Sequence, residues 1–305
     1  EIEKKVVMEE IGMYEDSPEE LIHDEISRTV WGGNSLGYPI LGTQKCLNDI
    51  NLDMIREYMD KNYNPCNCVV SVAGNFDEEA LLELLNRYFS GWKASSSQKS
   101  RLRNPKFVSD FTVRKKDTEQ VHVCIAFKGM EQGSEFMYPL LALNNIFGGG
   151  MSSSLFQRIR EEKGLVYSIF SYPSSYRNAG MFTIYAGMNP RHLKTVVDLV
   201  MEEVGSLIEK GVDQGDLLKS KEQLKGSYIL GLESTSSRMN SIGKSELLLG
   251  HMRTPEEILK KIDDIEMDHI NEVINRVFKF DAMSISAVGN IDSGADLREL
   301  LKIQV

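Results

Sequence analysis

The sequence predicts an α+β fold of layered helices and strands, made of two related domains with helices packed on mostly antiparallel sheets. Predicted strands are interleaved with paired helices along the chain. One segment also occurs twice: Val-Ser-Val-Ala-Gly-Asn at 70–75 matches Ile-Ser-Ala-Val-Gly-Asn at 285–290. The helix in front of each copy matches at the same offset, which places Gly289 215 positions after Gly74. Such an ordered match indicates an internal duplication.

The two copies predict the domain boundaries. We expect a first domain at 1–95, a polar and basic linker at 96–106, and a second domain at 107–305. A strand, a helix, a Gly-rich loop and two further strands precede the long helices of the second domain. The first domain has no such segments ahead of its own copy of the repeat, so we expect it to be incomplete and to lack its N-terminal portion.

Composition restricts the function classes. The chain has 305 residues, a net charge of −10 and a hydrophobic fraction of 41%, which is ordinary for a globular protein of two domains. An acidic chain lacks the basic surface that phosphate binding needs, so nucleic acid is not expected as a partner. The sequence contains no apolar run of membrane-spanning length.

The four cysteines are Cys46, Cys66, Cys68 and Cys124, and none forms a Cys-x-x-Cys pair. We expect buried free thiols, which favour a reducing compartment and hence the cytoplasm. The first residue is Glu rather than Met, so a targeting signal further upstream is not tested by this sequence.

The opening segment, residues 3–14, predicts a helix because apolar residues recur at steps of three and four. Glu10 lies within this stripe, among Val6, Val7, Met13 and Tyr14. A carboxylate on an apolar face must be protonated, paired or bound to a metal. The alternative is that Glu10 lies at the edge of the stripe and reaches solvent, and this stretch alone slightly favours that alternative.

The remaining elements follow in order. Ser17, Pro18 and Glu20 predict a helix start with a capping box, and this helix ends at Gly32-Gly33. Residues 34–42 predict a turn-rich loop that packs against the protein. The other predicted helices cover 52–63, 78–89, 136–147, 151–163, 191–210, 214–232, 236–249, 255–262, 268–277 and 295–301. The predicted strands cover 66–73, 120–127, 166–172, 180–186 and 283–288.

The three glycines Gly148, Gly149 and Gly150 stand in front of a predicted helix. A phosphate-binding loop is disfavoured because no Gly-Lys-Ser/Thr follows. Successive glycines permit close approach of backbone, so a hinge or a ligand-contacting loop is the better interpretation.

Arg160 ends a predicted helix and Tyr167 begins a predicted strand. Each residue by itself would be interpreted as an ordinary surface side chain. Placed on either side of a helix-to-strand corner, both can donate hydrogen bonds to the carbonyl groups of an extended peptide.

Histidines offer no catalytic pattern. The five are scattered, none lies three or four residues from another, and no Gly-x-Ser-x-Gly serine motif is present. This sequence therefore cannot assemble a metal site with two histidines by itself.

Four ordered segments resemble the pitrilysin and mitochondrial processing peptidase family, in particular its bacterial processing proteases. They are Val-Val-Met-Glu-Glu at 6–10, Ser-Pro…His-Asp at 17–24, Leu-Gly-Tyr-Pro-Ile-Leu-Gly at 36–42, and Val-Ala-Gly-Asn at 72–75. The specific second-domain signature also matches, from Phe147-Gly-Gly-Gly-Met-Ser-Ser to Arg160-Glu-Glu-Lys-Gly-Leu-Val-Tyr167. The resemblance covers the whole chain in order.

The resemblance implies a zinc metallopeptidase whose His-x-x-Glu-His motif lies upstream of a third, glutamate ligand. Glu10 matches that third ligand and Glu3 the supporting acidic position, whereas Arg160 and Tyr167 match the pair that holds substrate backbone. Zinc would polarise the scissile carbonyl and lower the pKa of its bound water, with the upstream glutamate as general base. The sequence has no His-x-x-Glu-His, so we expect the 305-residue chain alone to be inactive and to hold Zn²⁺ weakly, if at all.

Three functional hypotheses follow. The first is a zinc metalloendopeptidase that cleaves extended or unfolded peptides in a chamber between its domains, as a homo- or heterodimer with a related subunit. The second is a non-catalytic, peptidase-like subunit that binds peptide or supports an active partner. A scaffold needs neither Glu10 nor the Arg160 and Tyr167 pair, which favours the first hypothesis. The third, an unrelated α/β binding module, would make the repeat and the ordered motifs coincidental.

Overall fold

The computed structural model describes residues 1–93 and 104–291. The described helices are α1 Ile2–Asp16, α2 Pro18–Val30, α3 Gln44–Asp49, α4 Leu52–Asn62, α5 Glu78–Phe89, α6 Met137–Phe147, α7 Leu193–Lys210, α8 Gln214–Gly231, α9 Thr235–Leu249, α10 Pro255–Asp263 and α11 Met267–Val277. The described strands are β1 Phe111–Lys115, β2 Val121–Lys128, β3 Val166–Tyr176, β4 Ala179–Met188 and β5 Ser284–Gly289. The predicted mixture of helices and strands is confirmed.

The five strands form one mixed sheet in the order β1-β5-β2-β4-β3. β5 runs parallel to β1 and antiparallel to β2, and the β2–β4 and β4–β3 pairings are also antiparallel. The sheet is therefore mostly antiparallel, as the sequence predicts. β1 and β3 are its two edge strands, and an edge strand leaves one row of backbone groups unpaired by the sheet.

Both faces of the sheet are covered. Side chains alternate between the faces along a strand, so Val123 and Ile125 of β2 join one hydrophobic cluster while Cys124 and Ala126 join another. Helices α6, α7 and α11 contribute to the larger cluster. The smaller cluster is filled from the other side of the sheet by α2.

Helix α2 lies in the predicted first domain, residues 1–95 (called the first half below), but packs on a sheet whose strands all lie in the predicted second domain, residues 107–305 (called the second half). Its apolar side chains, Leu21, Ile22, Ile26 and Val30, are at most 4% exposed. They contact Cys124, Ala126, Met181, Tyr185 and Val288 of β2, β4 and β5. The polar Thr29 also reaches this sheet, because its hydroxyl lies 3.0 Å from the Ser286 hydroxyl. α2 is thus integral to the second-half core.

The internal repeat is visible in the backbone. The equivalent residues Tyr63 and Phe278 cap the C-terminal ends of α4 and α11, with φ, ψ of −85°, 87° and −85°, 88°. A 3₁₀ turn follows each helix, at Pro65–Asn67 and at Phe280–Ala282. The two repeat glycines, Gly74 and Gly289, have φ of 144° and 149°, a region that favours glycine.

The copies differ at the strand that precedes these glycines. The predicted strand 283–288 corresponds to β5, whereas the predicted strand 66–73 is wrong, because these residues form a 3₁₀ turn and then extended chain without a ladder. β5 lies between β1 and β2, but no described strand lies beside residues 68–73. Without a neighbour the segment cannot form sheet hydrogen bonds, and Val70 is 52% exposed while its equivalent Ile285 is 0% exposed.

Several local predictions are also wrong or untested. The predicted capping box at α2 is absent from the described chain, since Ser17 makes no side-chain cap bond and Glu20 instead accepts from the Tyr14 hydroxyl at 3.3 Å. In the predicted helix 151–163 the helical residues are only 154–161, and Phe156–Glu161 of these form a π-helical segment. Residues 94–103, most of the predicted linker, and the predicted helix 295–301 lie outside the described residues.

The prediction of buried thiols holds for one cysteine. Cys124 is buried, whereas Cys46, Cys66 and Cys68 are exposed. Two of the exposed thiols belong to the segment that lacks a neighbouring strand, which explains why the prediction fails there. No disulfide joins any of the four, all of which lie in the described part of the chain.

Candidate functional site

Glu10 lies on α1, a helix in which Ile11 is the buried residue. The predicted helix is confirmed, but its predicted apolar stripe is only partly covered: Val6 is 48% and Met13 is 74% exposed, whereas Val7 and Tyr14 are half-buried. Glu10 is itself exposed, as the edge alternative expects.

The Glu10 side chain borders a cavity of about 410 Å³ between α1, α2 and the loop after α2. Its walls are mostly apolar and consist of Glu10, Met13, Tyr14, Asp24, Ile40 and Leu41. An apolar cavity with a few carboxylates at its wall is suited to take up a side chain of a peptide. The loop at 34–42 contributes Ile40 and Leu41 to this wall, although Ile40 is fully exposed and packs less than predicted.

Asp24 connects this cavity to a second one of about 430 Å³, which Asp24 also lines together with Glu15, Glu25, Arg28 and Arg114. Burial raises the pKa of the Asp24 carboxyl, and the nearby charges of Glu25, Glu20 and Glu15 raise it further. Asp24 is therefore poorly solvated and has other carboxylates nearby. A cationic group placed beside it would lower the free-energy cost of its charged form.

An ion-pair network joins α1, α2 and β1 beside the second cavity. Arg114 Nη1 of β1 lies 2.7 Å from Glu25 Oε1 of α2, and Arg114 Nη2 pairs with the Glu15 carboxylate of α1. Arg28 also pairs with Glu25, and Lys116 Nζ donates to the Glu15 carbonyl. Glu25 is only 5% exposed, and a buried carboxylate needs such partners.

His23 fixes the other side of α2. Its Nδ1 lies 2.6 Å from the Tyr172 hydroxyl of β3 and 3.7 Å from Cys124 Sγ. Burial lowers the pKa of His23. Because His23 precedes Asp24 directly, the cavity beside Glu10 and the edge strand β3 are held to one stretch of α2.

Arg160 and Tyr167 flank a tight corner at the start of β3. Gly164, with φ of 61°, makes the corner, and its N–H donates to the Arg160 carbonyl at 3.0 Å. The Arg160 guanidinium lies 4.9 Å from the centre of the Phe156 ring. Tyr167 is 58% exposed and sits at a β-bulge between Val166 and Ser168, a device that re-aims a side chain.

Of the three glycines, Gly148 lies against β3 and Gly149 against the end of α6. The Gly148 carbonyl accepts from Ser171 N–H at 2.9 Å, and a Cβ at Gly148 would lie 2.8 Å from that nitrogen. At Gly149 a Cβ would lie 3.0 Å from the Asn144 carbonyl oxygen, whereas at Gly150 it would meet nothing within 4 Å. Close backbone approach thus explains two of the glycines without a ligand, and only Gly150 is spatially free.

The remaining site prediction, Glu3, is exposed on α1 two helical turns before Glu10. The residues available do not form a zinc site on their own. Within 1–93 and 104–291, no group of three His, Cys, Asp or Glu side chains lies close enough to hold a metal ion. Glu10 fits the role of a single carboxylate ligand, since its side chain is exposed and faces a cavity.

Sequence reasoning did not predict Glu20, Asp24 or Arg114 as residues of the site. Asp24 and Glu20 occupy one face of α2, and their spacing of four residues was a readable signal. Arg114 had no signal, because β1 was not predicted and the partners of Arg114 are about 90 and 100 residues away in sequence.

Comparison with known proteins identifies the family of this chain. A family model described as "Peptidase M16 inactive domain" matches residues 49–224. The chain is 43% identical over 293 residues to the "Uncharacterized zinc protease YmxG" of Bacillus subtilis, covering 95% of this chain and 71% of that protein. It is 34% identical over 285 residues to the "Uncharacterized zinc protease SCO5738" of Streptomyces coelicolor, covering 91% of this chain and 62% of that protein. The chain belongs to the peptidase M16 family.

Solved structures share the fold. A peptidase M16 inactive domain from Pseudomonas fluorescens superposes with a TM-score of 0.83 at 17% identity, over 96% of this chain and 70% of that one. A protease from Helicobacter pylori superposes with a TM-score of 0.84 at 21% identity, over 94% of this chain and 71% of that one. Across the parts of the chain that the structure describes, we find no helix with the length and apolar character that crossing a bilayer requires.

Proposed function

We propose that this chain is part of a zinc metalloendopeptidase and that Glu10 supplies one carboxylate ligand to the metal. The other ligands and the general base would come from a His-x-x-Glu-His segment outside this sequence. The observation that carries the proposal is the exposed Glu10 carboxylate at the wall of an apolar cavity. Two relatives are named zinc proteases, which supports the proposal. Glu3, on the same helix, would steady the metal side of the site.

The proposed substrate is an extended or unfolded peptide. β3 is an edge strand, so a peptide can be added beside it as a further strand, with Arg160 and Tyr167 donating to its carbonyl groups and Gly148, Gly149 and Gly150 beside it. The Gly148–Ser171 hydrogen bond already occupies one outward amide of this edge, which leaves the end near Tyr167 for the peptide. The acidic surroundings of Asp24 favour a basic side chain in the cavity beside Glu10.

A second candidate is a non-catalytic subunit that binds peptide or supports an active partner. Two findings favour it: the matching family model describes an inactive domain, and a chain of "Complex III2 from Candida albicans" superposes with a TM-score of 0.82 at 19% identity. In either case we propose a homo- or heterodimer with a related subunit, in the cytoplasm, where free thiols persist.

The test uses the complete polypeptide with its upstream segment. We expect it to contain zinc and to cleave an unstructured peptide, and Glu10→Gln to lose both because a neutral amide is a poor zinc ligand. Glu9→Gln is the matched control, an exposed neighbour on the same helix, and should keep both. A complete protein without zinc or peptidase activity would support the non-catalytic subunit instead.

The substrate-holding role is tested separately on the 305-residue chain. We expect this chain to bind an unstructured peptide without cleaving it, so fluorescence anisotropy of a labelled peptide is the measurement. Arg160→Ala and Tyr167→Phe should each weaken binding about tenfold, the loss of one hydrogen bond to a charged or buried partner. Arg177→Ala removes an exposed arginine at the far end of the β3–β4 hairpin and should leave affinity unchanged. Cleavage by this chain that a chelator abolishes would contradict the assignment of ligands to an outside segment.

A further inference from the structure

Arg114 of the second-half sheet contacts the helix that carries Glu10. We propose that Arg114 is a positioning residue, which sets the orientation of α1 and hence the place of the Glu10 carboxylate. The inference rests on the proposed function only where it assigns Glu10 to a metal. The orientation of α1 itself does not depend on that assignment.

The first step is the weak anchoring of α1. In this 15-residue helix the buried side chain is Ile11, so hydrophobic packing alone fixes α1 poorly. Polar contacts to the sheet occur at its C-terminal end, where Glu15 pairs with Arg114 and the Glu15 carbonyl accepts from Lys116. Arg114 lies on β1 and Lys116 directly follows that strand, so one edge of the sheet holds the helix.

The second step is the rigidity of Arg114. Its backbone is paired with Val288 of β5, and its Nη1 lies 2.7 Å from the Glu25 carboxylate of α2. α2 is in turn fixed in the core by its apolar face. A planar guanidinium with donors directed at two carboxylates holds both in a defined geometry. Arg114 therefore anchors α1 to β1 and α2, which are themselves fixed in the fold.

The third step is the charge left behind when Arg114 is removed. Glu15, Asp24 and Glu25 line one cavity with it, and the pKa of Asp24 is already raised by burial and by these carboxylates. Without the Arg114 charge, Glu25 keeps its pair with Arg28 but the Glu15 carboxylate loses its side-chain partner, so we expect α1 to move outward. Glu10 lies five residues before Glu15, about 7.5 Å along the helix axis, so a tilt at Glu15 displaces Glu10.

The test measures hydrogen–deuterium exchange in the 305-residue chain. We expect Arg114→Met to speed exchange of the α1 amides at least tenfold, while the amides of β2 and β4 keep their protection. Arg158→Met is the matched control: its side chain is 37% exposed against 35% for Arg114, and it also binds two glutamates, Glu202 and Glu203. Unchanged α1 exchange in Arg114→Met, or an equal increase in Arg158→Met, would overturn the proposal.

A second variant keeps the test decisive if Arg114→Met unfolds the sheet. Glu15→Gln breaks only the α1 side of the network and leaves the Arg114–Glu25 pair in place. It should speed α1 exchange with little change in the melting temperature. Arg114→Lys, which cannot reach two carboxylates as a fork, should fall between the wild type and Arg114→Met.

A metal-affinity arm uses the complete polypeptide and separates the two proposals. Arg114→Met should weaken zinc binding about tenfold, whereas Arg158→Met, at a comparable loss of melting temperature, should not. A wild-type protein without zinc refutes the proposed function but leaves the exchange result standing. Zinc binding that is identical in wild type and Arg114→Met refutes the link between Arg114 and Glu10.

Discussion

The Nδ1 atom of His23 lies 2.6 Å from the hydroxyl oxygen of Tyr172. This contact joins α2, a helix of the first half, to β3, the edge strand of the second half. The His23 ring also packs against Tyr185, with ring centres 5.2 Å apart. A histidine in such surroundings is best accommodated neutral, because burial lowers its pKa.

Acidification should therefore loosen α2. The folded-state pKa of His23 lies below its ordinary value of 6.5, so below pH 6.5 the unfolded chain binds a proton that the folded chain does not, and stability falls. His23→Gln should flatten the loss of unfolding free energy between pH 7.5 and 5.5, measured by urea denaturation. His251→Gln, at an exposed position, is the control. A pH dependence that is the same in His23→Gln and wild type would contradict this account.

Asp24 should have the opposite pH dependence. Its folded-state pKa is raised above 3.8, first by burial and then by neighbouring carboxylates, so its charged form costs stability at neutral pH and the cost disappears as the pH falls towards 3.8. Asp24→Asn should raise the melting temperature at pH 7, and the gain should shrink by pH 4. Asp49→Asn, on the exposed end of α3, should show neither effect. A gain that persists at low pH would indicate another cause.

Gly148 should not tolerate a side chain. A Cβ there would lie 2.8 Å from the Ser171 nitrogen, so Gly148→Ala pushes the loop away from β3 and costs about 1–3 kcal/mol of unfolding free energy. Gly150→Ala is the control, because a Cβ at Gly150 meets nothing within 4 Å. Thermal unfolding distinguishes the two. Equal melting temperatures would mean that the loop has room at both positions.

Because α2 packs on the second-half sheet, truncating a side chain on its buried face should lower the free energy of unfolding strongly. Ile26 is 0% exposed and contacts the sheet, so Ile26→Ala should cost about 2–5 kcal/mol. Ile40→Ala changes the same residue type where it is fully exposed and should alter stability by less than about 0.5 kcal/mol. Urea titration of both variants checks this. A small effect at Ile26 would mean that α2 does not belong to the core.

The sequence by itself determined most elements of the second half, because their apolar periodicity agrees with their burial; β1 and the helix predicted at 151–163 are the exceptions. It also determined the repeat, since Tyr63 and Phe278 have nearly the same backbone angles in the structure. The resemblance carried by Glu10, Arg160 and Tyr167 identified the family. These are local signals, in which neighbouring residues carry the information.

Only the tertiary structure decided which surfaces meet. The strand predicted at 66–73 failed although its equivalent β5 formed, because a strand requires a neighbour and the described chain places none beside it. The buried Glu25 and its partner Arg114, 89 residues apart, could not be paired from sequence, since long-range ion pairs leave no periodic pattern. For the same reason the sequence did not determine how exposed the Glu10 face of α1 is. An apolar stripe predicts a buried side, but only the tertiary structure shows which segments cover it.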